Sequence, residues 1–429
     1  APRITGAGPR LTLGWPDAAG PASLTEHRDR FGPLPPGGRG LLDAVEAAGL
    51  TGRGGSGFPT AVKMRAVAAG RGPAVVVANG MESEPASRKD QALLARSPHL
   101  VLDGAVLAAR AVGADIIHVC LDRSRAGQVR DVQRAVEERR RAAADPVPIQ
   151  VEQLPPHYVS SEQTALVRWL NGGEAKPMTT PPRPDERGVR RRPTLVSNVE
   201  TLAHLALIAR FGPGWFRAAG TPRSPGTMLV TAAGAVRRPG VYEIAPGTPV
   251  GEVLALSDAD EAAADVLIGG YFGTWHHIRD IARRPLSQDG LRPAGAAVGA
   301  GVVLVLPAGG CGLAETARIL GYLASQGAQQ CGPCRFGLPA IADDFAQLTA
   351  GRPDGDPLAR LARRLEVISG RGACRHPDGA VRLAASALTA FAADARSHAG
   401  RRPCAGAGPG RAHTPARPVT GPGTEQPWR

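Results

Sequence analysis

Apolar positions change their period several times along the chain, and each change marks an element. The run AVVVAN at 74–79 is apolar without a break, as in a strand buried on both faces of a parallel sheet. DIIHVCL at 115–121 repeats that pattern, and IQVEQL at 149–154 alternates as a third strand. Between the first two, Ser97-Pro98 predicts a helix start, with Ser as the cap and Pro at the first position. Leu100, Val101, Ala105 and Ala108 fall on one face of that helix. A long charged helix is expected over about 124–144, and shorter ones over about 41–48 and 60–69. Strand–helix–strand–helix–strand predicts a doubly wound, Rossmann-like α/β layer. In HYVSSEQTALVRWLNGG, Ser160 and Gln163 make a capping-box pattern and Gly172-Gly173 a stop. SNVETLAHLALIARFG predicts one more amphipathic helix.

The pattern shifts near Gly220. Residues 1–215 therefore read as an N-terminal segment with the α/β domain, and 220–307 as a small β-rich module. Residues 312–399 are helical in period throughout and predict a four-helix bundle. The Gly/Pro/Arg-rich residues 400–429 are expected to be a disordered basic tail.

Composition narrows the function. Hydrophobic residues make up 43% and charged residues 21%, which excludes wholesale disorder. The net charge is +13, yet Lys63, Lys89 and Lys176 are the only lysines among 51 basic residues. So strong an arginine bias, alongside abundant Ala and Gly, reads as GC-rich coding. No nucleic-acid motif accompanies it, and aromatics are only 4%. The first residues lack the apolar core of a signal peptide. The uncharged run 293–314 is broken by glycines and reads as one buried strand, not a membrane span. A cytoplasmic location is expected, where six cysteines argue for metal or redox chemistry over a disulfide framework.

Three constellations could carry chemistry. Gly52-Arg53-Gly54-Gly55-Ser56-Gly57-Phe58-Pro59-Thr60 runs into a helix bearing Lys63. Its glycines let amides approach an anion at a helix N-terminus, although the sequence is neither a Walker loop nor the dinucleotide fingerprint. A glycine-rich turn without a ligand is the competing reading. Asn79-Gly80-Met81-Glu82-Ser83-Glu84-Pro85 follows a parallel strand, where ligands collect, though a solvated acidic turn would look the same. Cys331-Gly332-Pro333-Cys334, with Cys374 in the same helical domain, suits a metal or an iron–sulfur cluster. Cys120, in a predicted strand, reads as core.

In this order the three constellations resemble the flavin- and iron–sulfur-bearing NADH-binding subunit of respiratory complex I and its relatives in NAD-linked hydrogenases and formate dehydrogenases. The likeness runs from about Leu50 to Ala399. GRGGSGFPT is like the family's GRGGAGFPT, ANGMESEPASRKD like CNADESEPGSFKD, and YVSSEQTAL like YICGEETAL. RPTLVSNVETLA is like PTxxNNVETLA, and QQCGPCRFG like SCGxCxPCREG. The middle module resembles a ubiquitin-like, soluble-ligand-binding β-grasp domain. The resemblance implies FMN cradled by Gly52, Arg53, Gly54, Gly55 and Lys63 and held by Asn79 and Glu82. Tyr158, Glu162, Asn198 and Thr201 match further flavin-side positions, and Glu84 matches a catalytic position near the nicotinamide. Phe58 matches a ring that stacks on NADH. Cys331, Cys334 and Cys374 match ligands of a 4Fe-4S cluster.

The departures fall mostly on the nucleotide side. The family's Asp in NADE is Met81, its GEE is Ser161-Glu162-Gln163, and the first Asn of NNVE is Ser197. Thr180 and Arg183 replace the Lys and Phe of LKPPFP, and a second stacking Phe is Ala66. The first cluster cysteine is Ala328, which leaves a 3Fe-4S cluster, or a 4Fe-4S cluster with a fourth ligand from Cys404, His376 or an exogenous or partner group. Cys311, at the far end of a helix, is a poor candidate. The resemblance implies an NADH:quinone-oxidoreductase-like electron-transfer enzyme with weak or absent use of NAD(H). Its partners would be a small electron carrier such as a ferredoxin, or other redox-complex subunits. A non-catalytic cluster-binding scaffold or assembly subunit is the alternative.

Overall fold

The computed structural model describes residues 8–15, 20–407 and 427–429. Its first layer is a parallel sheet of β1 (Ala74–Asn79), β2 (Ala114–Asp122), β3 (Ile149–Leu154) and β4 (Thr194–Asn198), in the order β3-β2-β1-β4. Side chains alternate across a strand. Val76, Ala78, Ile117 and Val119 accordingly enter the core shared with helices Pro98–Val112 and Val199–Arg217. Val75, Val77 and Cys120 enter a smaller core, shared with helix Gln163–Leu170, on the other face. The sheet is thus covered on both sides, which is why β1 reads as a continuous apolar run.

Two helix starts differ from the sequence expectation. Pro98 does begin a helix, but Ser97 makes no capping bond; its hydroxyl accepts from Trp15 Nε1 at 2.9 Å. Ser160 lies in a short 3-10 turn, Tyr158–Ser161, and Glu162 caps helix Gln163–Leu170 by accepting from the amides of Thr164 and Ala165. The charged helix is Ala126–Arg141, shorter at both ends than expected. Helix Leu24–Phe31, closed by a Ser23–Glu26 capping box, lies in a stretch too rich in Pro and Gly for the sequence to predict it.

A second, mixed sheet follows: β5 (Met228–Gly234), β6 (Gly240–Ile244), β7 (Asp265–Ile268), β8 (Thr274–His277) and β9 (Val302–Leu306), in the order β6-β5-β9-β7-β8. β9 is the strand read within 293–314. Helices Gly312–Ser325, Leu338–Thr349, Pro357–Ile368, His376–Ala390 and Ala392–Ala399 close a third core. No single helix among the described residues is long and apolar enough to cross a membrane.

The C-terminal stretch, expected to be disordered, has structure where it is described. Residues Ala405–Ala407 form a 3-10 turn, and Trp428 stacks on His157 with centroids 3.7 Å apart. Residues 408–426 lie outside the described residues.

Candidate flavin and cluster site

The strand order reverses direction between β1 and β4. In an open α/β sheet that is where the crevice at the carboxyl ends of the strands takes a ligand. β1 ends at Asn79 and β4 at Asn198, which are register partners, so their side chains stand next to each other at the crevice. Asn79 Nδ2 donates to the Ser161 carbonyl at 2.9 Å. Asn198 caps helix Val199–Arg217 through Glu200 N at 3.0 Å and donates from Nδ2 to Asp90 at 2.7 Å. Below them Lys89 is buried and pairs with Asp90 and Glu200 at 2.7 and 2.9 Å.

The glycine loop folds over this point. Gly52 N bonds to the Phe58 carbonyl and Thr60 N to the Leu50 carbonyl, closing the loop at its neck. Gly55 and Gly57 have positive φ, of 106° and 63°, which glycine alone adopts readily. A Cβ on Gly54 would stand 3.4 Å from the Asn198 Cβ. The amides of Gly54 to Gly57 make no bond among the described residues. Thr60 Oγ1, at the first turn of helix Thr60–Ala68, is buried without a partner. Lys63 Nζ donates to the Val196 carbonyl at 2.7 Å and to Gln163 Oε1 at 3.1 Å, leaving its third proton for a ligand. Burial lowers the Lys63 pKa, opposed by Asp185 and Glu162. Free amides, a helix N-terminus, an orphan hydroxyl and a lysine beside paired asparagines fit a phosphorylated, polyhydroxylated group such as FMN.

Other expected site residues are occupied within the fold. Arg53 donates from its backbone to Thr201 Oγ1 at 2.8 Å, while its guanidinium reaches the carbonyls of Pro225 and Thr227 at 3.1 Å. It pins the loop to the second sheet. The Glu82 carboxylate accepts from Ser87 Oγ, Asp90 N and Gln91 N, tying down the start of helix Lys89–Arg96. Met81, at the family's Asp position, is buried in the small core beneath the sheet. These arrangements turn on backbone direction: Glu82 has φ +35°, a bend the sequence does not announce.

Glu84 is buried. Its carboxylate accepts from Tyr158 Oη and from Tyr271 N, each at 2.9 Å. Burial pushes its pKa up to about 7, with Glu82 adding and the bonds from Tyr271 N, Tyr158 Oη and Ala86 N opposing. Tyr271, from the loop after β7, is a partner that no local pattern points to. On the outer rim Phe58 is 48% exposed, and Ala66, Thr180 and Arg183 are exposed.

Cys331 and Cys334 lie just before helix Leu338–Thr349, and Cys374 just before helix His376–Ala390. Burial raises the pKa of the Cys334 thiol, opposed by the nearby amides of Gln329 and Ala328. Burial pushes the Cys374 thiol up to about 11, with Glu162, Cys334 and Cys331 adding to it, so the three thiols share one electrostatic neighbourhood. Cys331, Cys334 and Cys374, each just before a helix of the same domain, could supply three of the four ligands of a cubane cluster. Ala328 offers only its amide. Cys404 is removed from this group: its Sγ lies within 4.8 Å of Cys311 Sγ, a helix length away. His376 donates from Nε2 to the Leu323 carbonyl, and its Nδ1 is buried without a partner. The segment around Glu162 links the two regions: Gln163 Oε1 accepts from Lys63 Nζ, and Tyr158 N donates to Gln326 Oε1 of the helical domain.

Comparison with known proteins agrees with this division. Residues 45–207 match the Nuo51 FMN-binding domain, and residues 314–398 match the NADH-ubiquinone oxidoreductase-F iron-sulfur binding region. The chain is 29% identical over 378 residues to the second F-type subunit of the NADH-quinone oxidoreductase of Rhizobium meliloti (strain 1021), covering 85% of this chain and 90% of that one. It is also 29% identical to the F-type subunit of the Streptomyces coelicolor NADH-quinone oxidoreductase, over 376 residues, 85% of this chain and 84% of that one. A chain of an NAD+-reducing [NiFe]-hydrogenase in the H2-reduced state superposes with a TM-score of 0.82 and 30% identity, over 94% of this chain and 68% of that one. An FMN domain, an iron–sulfur region and likeness over most of its length place the chain in the family of the F-type NADH-quinone oxidoreductase subunits and the related NAD+-reducing hydrogenase subunits.

Proposed function

We propose that this chain takes electrons at a flavin held in the β1–β4 crevice and delivers them through the Cys331/Cys334/Cys374 cluster to another subunit of a redox complex or to a small carrier such as a ferredoxin. The observation that carries the proposal is the segment 158–163: Lys63 Nζ at the crevice donates to Gln163 Oε1 at 3.1 Å, and Tyr158 N donates to Gln326 Oε1 of the helical domain that bears the thiols. Bound FMN supplies exchange of a hydride or single electrons, and the cluster exchange of single electrons. The residues bind and orient. The amides of Gly54 to Gly57 and the third proton of Lys63 would hold the phosphate of FMN, and Asn79 and Asn198 would hold its hydroxyl chain. Glu84, with its pKa near 7, holds or releases one proton at Oε1 or Oε2 near neutral pH. Tyr158 and Tyr271 N fix that carboxylate. The strand order β6-β5-β9-β7-β8 supports reading residues 220–307 as a β-grasp module whose Tyr271 loop closes over Glu84.

The nucleotide side supports a rewritten preference. Ala66 and Arg183 leave Phe58 as the one retained stacking ring. Each lost ring forfeits roughly 0.5–1.5 kcal/mol beyond burial. The exposed Arg183 suits a phosphorylated nucleotide or an acidic carrier. Micromolar NADH is expected to bleach the bound flavin slowly or not at all in an anaerobic stopped-flow trace, and rapid bleaching would contradict this. Ala328 leaves the fourth iron ligand to His376 Nδ1 or an exogenous group; a 4Fe-4S EPR signal that persists in His376→Ala eliminates the internal one.

The scaffold reading draws on Arg53 and Glu82 being committed to the fold. Anaerobic purification followed by cofactor extraction separates the two. Bound FMN supports the electron-transfer reading, and a cluster without FMN supports the scaffold.

A further inference from the structure

A second cluster of metal-ligating side chains stands apart from the three matched cysteines. Cys311, His398 and Cys404 bring two Sγ atoms and one imidazole nitrogen within 4.8 Å of one another. Cys311 caps helix Gly312–Ser325, whose 14 residues carry the chain about 21 Å before it turns toward Cys331. The two groups of thiols therefore sit at opposite ends of one helix.

We propose that Cys311, His398 and Cys404 bind a zinc ion that fastens the segment after helix Ala392–Ala399 onto the start of helix Gly312–Ser325. The donor set decides the metal class: two thiolates and an imidazole suit Zn2+ and not a hard cation such as Mg2+ or Ca2+. The spacing agrees. Cys311 Sγ and His398 Nε2 are 4.0 Å apart, and tetrahedral bonds of about 2.3 and 2.0 Å put such a pair roughly 3.5 Å apart, so closure needs a shift of about half an ångström. The tautomer is already set. The Cys404 amide donates to His398 Nε2 at 3.1 Å, so Nε2 carries the ring's lone pair; zinc would take that lone pair in place of the amide, which turns away as the Cys404 thiol closes on the metal. The surroundings are built closely. His398 is fully buried, Cys311 is 3% exposed, and a Cβ on Gly406 would stand 2.2 Å from the Gly309 carbonyl oxygen. Only a glycine lets the turn after Cys404 lie so near Cys311. On binding, both thiols release their protons to water, and the half-exposed Cys404 leaves the fourth position to solvent.

The test uses the full chain purified anaerobically with its flavin and iron, stripped with a chelator, given zinc sulfate alone and desalted. One zinc per chain should remain. Zinc K-edge absorption should give a first shell of two sulfurs with nitrogen and oxygen, a readout independent of any variant. Cys404→Ser should lower retained zinc at least tenfold at limiting zinc while iron, sulfide and flavin contents hold. Zinc retention unchanged in Cys404→Ser, or an all-oxygen shell, overturns the proposal. So does iron lost together with zinc, which would assign Cys404 to the cluster, or a native mass short by two hydrogens, which would assign a Cys311–Cys404 disulfide.

Discussion

Glu84 shows how a single carboxylate can be set for proton traffic by burial alone. Its pKa stands near 7 in the folded chain against 4.5 ordinarily, so the folded state holds the proton more tightly than the unfolded one. That contribution to stability is whole below about pH 4.5 and is lost as pH rises to about 7, an effect on the order of 3 kcal/mol. Asp90, pushed by burial to about 6, adds a loss in part of the same window. Denaturant titrations at pH 4.5 and 7.5 should therefore give a smaller pH dependence for Glu84→Gln than for the native chain. Equal slopes would contradict the burial argument. Gly54 tests the other side of the crevice: Gly54→Val puts methyls against Asn198 and should abolish flavin retention, read as unquenched flavin fluorescence after mixing. At this scale the residues themselves are more legible in the sequence than their tasks. Gly54, Lys63, Asn79 and Asn198 come together at the β1–β4 crevice. Arg53 and Glu82 turn away because their side chains find carbonyls and helix amides first, contacts separated by up to 174 residues that no local pattern reveals.

Elements are legible in proportion to their apolar run. β1 and β3 have the bounds their patterns predict, β1 from its unbroken AVVVA run and β3 from Ile149 and Val151 alternating with polar residues. β4 escapes sequence reading: TLVSN is short, follows a basic loop and runs straight into a helix, and its pairing with β1 is what creates the crevice. Helix caps are the least legible, since Ser97, Ser160 and Glu162 all suit the position and tertiary partners choose among them. Glu162 is the consequential choice. Glu162→Ala should cost about 1 kcal/mol through the lost cap, measured by urea denaturation, while Glu162→Gln, which keeps an accepting oxygen, should cost less. Equal losses for the two variants would show that charge, not capping, is the larger part.

On the scale of the whole molecule, three cores meet around Tyr158. Its backbone N donates to Gln326 of the helical domain, its hydroxyl donates to Glu84, and its ring lies 4.9 Å from Phe272 of the second sheet and 5.6 Å from His376. The crevice side and the thiol-bearing helical domain are thus tied together through Tyr158. The proposed function requires flavin and cluster on one chain. The most direct measurement is EPR of the anaerobically purified chain during stepwise reduction with dithionite, with flavin absorbance followed in the same sample. The account predicts bound FMN that bleaches while a signal from a reduced iron–sulfur cluster grows, both absent from a Cys331→Ser, Gly54→Val double variant. An iron-free chain after anaerobic reconstitution, or a cluster signal with no flavin to bleach, would contradict it.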